Sequence, residues 1–301
     1  MRERAAMYHE PVLLSETVSA LVQNPDGIYV DVTFGGGGHS REILRRLSPQ
    51  GRLFGFDQDS ECPAAAVDDP RFTFVPQNFK NTAKWLEYYK CPQVDGIMAD
   101  LGVSSHQFDT PQRGFSYRFP APLDMRMNPN KEFSAANVVN DYSPAQLATV
   151  LATYGELQNA KRLADLIAAA RPVETTDQLV AAVTQQLPKG KENKILSQIF
   201  QAIRIEVNGE TEVLKQLLQQ SVTLLKSGGR IAILSYHSIE DRLVKNFFKS
   251  GNFEGEIEKD FYGNPLTPFK LITRKPVVPS DSEIEENLRA RSAKLRVAEK
   301  I

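Results

Sequence analysis

The sequence predicts an α/β fold, a mostly parallel sheet with crossover helices, interrupted by one all-helical block. Three observations predict it. Short β-rich runs alternate with helical patterns over residues 28–101 and again after residue 212, the signature of right-handed strand–helix–strand units. Three of those runs close on an aspartate, at Asp31, Asp57 and Asp100. Between Gln107 and Glu212 no strand pattern occurs, only helix starts and apolar residues at helical spacing.

Each element has a local reason. Pro11–Val22 reads as a helix ending at the Pro25-Asp26-Gly27 turn. Ile28–Val32 is the first strand, and Arg41–Leu47 is the first crossover helix, closed by Ser48-Pro49-Gln50-Gly51. Leu53–Asp57, the alternating run Arg71–Val75 and Val94–Leu101 are the next three strands. In the helical block, Ser143-Pro144-Ala145-Gln146 is a cap, an N1 proline and a capping-box glutamine in succession. Leu147, Val150, Leu151 and Tyr154 follow at helical spacing, and further helices read as 159–170, 176–187 and 194–206. A block of roughly 100 residues is a normal domain size. The expected organisation is therefore a sheet domain from 1–107 and 213–301, with a helical insert over 108–212 as a substrate-recognition domain. Glu212–Lys226 is a helix ended by Gly228-Gly229. Arg230–Tyr236 is the fifth strand, a helix opens at Ser238, and 269–273 and 295–298 are the last strands.

The most informative stretch is Asp31-Val32-Thr33-Phe34-Gly35-Gly36-Gly37-Gly38-His39-Ser40, between the first strand and its helix. A tight turn needs one or two glycines. Four in a row suggest that the backbone itself approaches a ligand at the helix N-terminus. No Gly-Lys-Ser/Thr follows, so this is not a Walker A loop, and Ser40 stands where a dinucleotide fingerprint has its third glycine. Asp57 falls about 20 residues on, where a carboxylate meets ribose hydroxyls in nucleotide folds. Asp31 and Asp100 lie at the same carboxyl edge. Three acids there suit a cationic cofactor such as S-adenosylmethionine better than a pyrophosphate, which they would repel. Polar strand ends are the bland alternative for each acid taken alone. Ser235-Tyr236-His237-Ser238 ends the fifth strand at the same edge, which makes His237 a candidate.

Composition narrows the classes. The 301 residues are 41% hydrophobic and 24% charged with a formal net charge of −1, ordinary for a soluble protein and without a global basic field. Cys62 and Cys91 make no disulfide framework, and His9, His39, His106 and His237 lack metal-ligand spacing, so no metal is expected. No run has transmembrane length and Met1–Glu10 is polar, which predicts a cytoplasmic protein with no membrane partner.

Five ordered motifs carry a resemblance. They are Asp31–Ser40, Asp100-Leu101-Gly102-Val103-Ser104-Ser105, Pro122-Leu123-Asp124-Met125-Arg126-Met127, Phe200–Asn208 and His237-Ser238-Ile239-Glu240-Asp241-Arg242, with Ala290–Arg296 near the end of the chain. Together they resemble the bacterial ribosomal RNA small-subunit methyltransferase H family, also called MraW, over nearly the whole chain. The resemblance implies a class I, Rossmann-like, S-adenosylmethionine-dependent methyltransferase sheet with a helical insert. It implies methylation of the exocyclic N4 of one cytidine of 16S rRNA near the ribosomal P site. It places cofactor contacts on Gly37, Gly38, His39, Asp57, Phe79, Asp100 and Gln107. Lys194–Ile199 and Leu288 depart from the family's usual pattern, away from those contacts.

Methyl transfer to an amino nitrogen needs an acceptor for its protons. Asp100, or a backbone carbonyl in its loop, is the first candidate and His237 the second. The implied partner is 16S rRNA in the small ribosomal subunit, with no DNA, and a homodimer is left open. Arg113, Arg118, Arg126, Lys189, Lys191 and Lys194 form a candidate RNA platform on the insert, against the alternative of solvated charge on helical surfaces. Two other functions stay in view: a nicotinamide-dependent oxidoreductase and a non-catalytic ribosome-binding factor.

Overall fold

The computed structural model describes residues 11–62 and 67–301. Met1–Glu10, with His9, and Pro63 lie outside the described residues. The chain forms two compact units: one runs to Gly102 and resumes at Glu212, and the other is Val103–Thr211.

The first unit is built on seven strands: β1 (Ile28–Asp31), β2 (Arg52–Phe56), β3 (Phe72–Val75), β4 (Val94–Asp100), β5 (Leu225–Ser235), β6 (Phe269–Leu271) and β7 (Lys294–Lys300). Their order is β3-β2-β1-β4-β5-β7-β6. β7 alone runs antiparallel, paired with β5 on one side and β6 on the other. The order reverses between β1 and β4, the switch point at which open α/β sheets bind ligands beyond the carboxyl ends. Register brings those ends level, with Asp31 opposite Gly55 of β2 and Met98 of β4. β5 starts at Leu225 and takes in Gly228 (φ 79°) and Gly229. The helix before it therefore ends at Leu224, two residues earlier than expected.

Strand alternation sends side chains to two faces. On one face Val30, Phe54, Phe56, Ile97, Ile231 and Ile233 pack with Leu86 of α3 (Thr82–Tyr88), Leu217 and Leu218 of α10 (Glu210–Leu224) and Phe247 and Phe248 of α11 (Ser238–Ser250). On the other, Tyr29, Leu53, Met98, Ala232, Leu234 and Val297 meet Val18 and Leu21 of α1 (Leu14–Leu21) and Ile43 and Leu44 of α2 (Gly38–Arg46). Asp241 of α11 clamps β7 by ion pairs with Arg296 (2.6 Å) and Lys294 (3.1 Å). The acidic end of the fifth motif thereby meets the basic end of the last.

The second unit holds α4 (Ser105–Asp109), α5 (Ala135–Asp141), α6 (Pro144–Gly155), α7 (Ala160–Ala169), α8 (Thr176–Thr184) and α9 (Glu192–Asn208). Ser143 and Gln146 close the expected capping box on α6. Leu147, Leu151, Leu163, Ile167, Leu179, Val183, Ile199 and Ile203 fill the unit's own core. Two of the motifs interlock here. Asn208, at the end of α9, accepts from the Met127 amide and donates to the Met125 carbonyl, both at 2.8 Å. A peptide segment in left-handed conformation (Met125, φ 56°) is held this way without a strand partner.

Candidate functional site

The glycine turn leaves β1 and enters α2. Gly35 (φ 50°) and Gly37 (φ 75°) have left-handed backbones, and Gly37 is the N-cap of α2. A Cβ on Gly37 would come within 2.5 Å of the Phe34 ring, and one on Gly38 within 2.1 Å of Pro11. A Cβ on Gly36 would meet nothing within 4 Å. Gly37 and Gly38 are thus demanded by close packing, while Gly36 is exposed with its carbonyl accepting from the Arg41 guanidinium (2.7 Å).

The three strand-end acids do different work. Asp31 is buried; its Oδ1 accepts from the Thr33 amide (3.1 Å) and its Oδ2 from the Ser40 hydroxyl (2.7 Å). Burial raises its pKa. It ties the start of α2 to β1 from inside the protein, at the carboxyl edge where the sequence reading put it. Asp57 accepts the Gly35 amide on Oδ2 (2.8 Å) and the Asp59 amide on Oδ1 (2.9 Å), and burial raises its pKa too. The Gln58 amide also lowers its pKa by hydrogen bonding, so backbone amides hold the carboxylate in place.

Asp100 ends β4. Its amide donates to the Thr33 hydroxyl (2.6 Å), its Oδ1 accepts from the Tyr236 hydroxyl (2.7 Å), and its Oδ2 stands 3.8 Å from His39 Nδ1. About a quarter of the side chain (26%) is solvent-open. Desolvation dominates nonetheless and pushes its pKa to about 7, with the Tyr236 hydrogen bond pulling down and the nearby Glu240 carboxylate pushing up. His39 is buried, with Nε2 3.1 Å from the Val12 carbonyl, and burial lowers its pKa. It packs the base of the turn.

His237 caps α11: its Nδ1 faces the Glu240 amide (3.4 Å) and its Nε2 lies 3.1 Å from Glu240 Oε1. The other Glu240 oxygen accepts from the Tyr236 amide (2.9 Å). Phe79 sits in a short 3-10 turn after β3, half-buried against the sheet core. Gln107 belongs to the second unit, where its side chain accepts from the Ser104 amide (3.1 Å) and completes the α4 capping box. Sequence reasoning passed over Tyr236 and Ser40; their only advance signal was a polar residue beside a strand end or a helix start.

The platform cations divide. Arg113 is buried and donates to the Arg126 and Met127 carbonyls (2.9 and 3.2 Å), and Arg126 is paired with Asp124 (2.6 Å). These two are structural, because their guanidiniums close loops of the insert. Arg118, Lys189, Lys191 and Lys194 are exposed.

Residues 6–301 match the model of the MraW methylase family. The chain belongs to the MraW methylase family. A relative from Flavobacterium johnsoniae, named ribosomal RNA small subunit methyltransferase H, is 58% identical over 98% of both chains. One of the same name from Parabacteroides distasonis is 51% identical over the full length of both. An rRNA methylase structure from Streptococcus thermophilus covers 96% of this chain and 93% of its own at 11% identity and a TM-score of 0.42. As an MraW-family methylase, the protein is an enzyme whose cofactor is S-adenosylmethionine. The residues present fit that cofactor. The turn leaves room at Gly36, Asp57 stands at the end of β2 beside it, and the carboxylates at the strand ends favour a cation. No helix among the described residues is long and apolar enough to cross a membrane.

Proposed function

We propose that the protein methylates the exocyclic N4 of one cytidine of 16S rRNA near the P site of the small ribosomal subunit, in the cytoplasm. The name shared by its relatives, ribosomal RNA small subunit methyltransferase H, at 51–58% identity over whole chains, supports ribosomal RNA as the substrate class. The observation that carries the chemistry is Asp100 Oδ2: at the strand end beside the glycine turn, it makes no hydrogen bond among the described residues.

The bound cofactor supplies a sulfonium-activated methyl group. The chain's own residues do the rest. Gly35–His39 line the site, and Asp57 takes the ribose hydroxyls. Phe79 keeps the cofactor contact that the family resemblance assigns. Asp100 Oδ2 accepts a hydrogen bond from the cytosine amino group. That contact draws the nitrogen lone pair out of conjugation and gives the departing proton a place to go. Alignment of this kind is worth several kcal/mol, up to roughly 7–11 in the best intramolecular cases. We assign the proton to Asp100 and not to His237, because both ring nitrogens of His237 face Glu240. The base must leave its stack to reach the carboxylate, so the substrate is single-stranded or locally distorted RNA. On the insert, Arg118 and the lysines at 189, 191 and 194 serve as phosphate contacts.

The test is transfer of labelled methyl to small subunits from a strain lacking the enzyme, with the modified nucleoside mapped. N4-methylcytidine at a single site is expected. Label on another nucleoside, or none, overturns the reading.

A further inference from the structure

We propose that Tyr236 is a positioning residue for the methyl transfer: its hydroxyl occupies Asp100 Oδ1, turns Oδ2 toward the substrate amino group and favours the charged carboxylate. The inference rests on the role proposed for Asp100 and adds the group that makes that role workable at neutral pH.

The geometry is specific. Tyr236 follows β5, and β4 and β5 are paired up to Asp100–Leu234, which brings the ring beside the carboxylate. The hydroxyl donates at 2.7 Å. Burial, with the adjacent Asp100 charge, raises the Tyr236 pKa well above the ordinary phenol value, so the hydroxyl keeps its proton to donate. The chain is fixed from behind: the Tyr236 amide donates to Glu240 Oε2 (2.9 Å), and Glu240 is held against His237. This gives the His237–Glu240 pair at the start of α11 a task, which is to anchor the peptide that carries the phenol.

The other groups facing Asp100 make the donor necessary. Glu240 on α11 and Asp31 at the end of β1 are like charges, and Glu283 on α12 (Asp281–Glu286) adds to the negative field around the phenol. His39 on α2 is kept neutral by burial and stands 3.8 Å away, too far for a hydrogen bond. Tyr236 is therefore the one side-chain donor to the Asp100 carboxylate among the described residues. A carboxylate already pushed to about pH 7 has little margin. A hydrogen bond to a charged acceptor is worth roughly one pH unit or more.

The balance of the step is simple. The N4–CH3 bond forms, the S–CH3 bond breaks with its electron pair left on sulfur, and the N4 proton passes to Asp100 Oδ2. A protonated Asp100 can do neither its hydrogen-bonding nor its proton-accepting part.

The experiment follows the Asp100 carboxyl carbon by 13C NMR in aspartate-labelled protein without cofactor, assigned with Asp100→Asn, in wild type and in Tyr236→Phe. Rates on small subunits are measured from pH 6 to 9 in parallel. We expect the carboxyl midpoint of Tyr236→Phe to rise by roughly one unit. The acid limb of the rate profile should move with it, giving about tenfold loss at pH 6 and near-complete recovery at pH 9. A midpoint that does not move overturns the inference, as does a loss of rate that is the same at every pH. If the midpoint moves and the rate limb does not, or if Asp100→Asn keeps full turnover, the role of Asp100 itself is wrong and the inference falls with it.

Discussion

The glycine turn makes a sharp prediction, because its neighbouring glycines are required for opposite reasons. In Gly37→Ala the new Cβ sits at φ 75°, a left-handed backbone that costs an L-residue roughly 1–2 kcal/mol. It also lands 2.5 Å from the tip of the Phe34 ring. That ring cannot swing away freely, since it is buried between Phe72 and Phe74 at centroid distances of 5.3 and 5.6 Å. Overpacking of this kind adds roughly 1–3 kcal/mol. The sum is about 2–5 kcal/mol, or a fall in Tm of roughly 5–20 °C for a unit of this size. Gly36→Ala meets no atom within 4 Å and has no left-handed backbone, so its Tm should stay within a few degrees of wild type. Its methyl group projects into the open space at the turn, and S-adenosylhomocysteine should bind at least tenfold more weakly. Scanning calorimetry and binding calorimetry on both variants decide the matter. If Gly37→Ala is as stable as Gly36→Ala, the packing argument fails. If Gly36→Ala binds the product normally, that space is not where the cofactor lies.

Three further expectations follow. Asp100 has a folded pKa near 7, above the ordinary carboxylate value, so the folded state takes up a proton between about pH 4 and 7 and the buried charge costs stability above that window. Asp100→Asn should therefore raise the Tm of the cofactor-free protein at pH 8, by at most about 4 kcal/mol of linkage energy, with the gain vanishing toward pH 4; a gain independent of pH would contradict this. Asn208→Ala removes buried bonds to Met127 and Met125 and should destabilise the helical unit by roughly 2–4 kcal/mol, seen as faster proteolysis within 103–211. Reversing the charge of Arg118 and of Lys189, Lys191 and Lys194 should weaken RNA binding and flatten its salt dependence by about 0.7–0.9 per cation in a log–log plot, and an unchanged slope would remove the platform.

Legibility varied with the distance over which the physics acts. The strands, their aspartate ends and the α6 capping box were readable because each depends on a few consecutive residues. The glycine run was readable as a close-approach site for the same reason. The hydrogen bond between Tyr236 and Asp100 spans 136 residues and leaves no local trace. Arg113 and Arg126 looked like solvent-facing cations, yet they serve loop carbonyls and Asp124, because a guanidinium can satisfy several backbone acceptors at once. Asp31 was readable as a strand-end acid, but no sequence cue gave its burial. The early start of β5 was hidden by Gly228 and Gly229, which suggest a helix stop and not the beginning of a strand.

The position of β7 has a consequence for how the molecule is made. This strand is last in sequence but lies inside the sheet, between β5 and β6. Until Lys294–Lys300 have left the ribosome, the facing edges of both neighbours stand unpaired, and open strand edges invite association with other chains. The helical unit, a continuous segment with its own core, is complete some 90 residues earlier, so at ordinary elongation rates it has seconds in which to form alone. The sheet unit, split by that segment, can close only once β7 has emerged. The Asp241 clamp on Arg296 and Lys294 would then act as a latch on the final step.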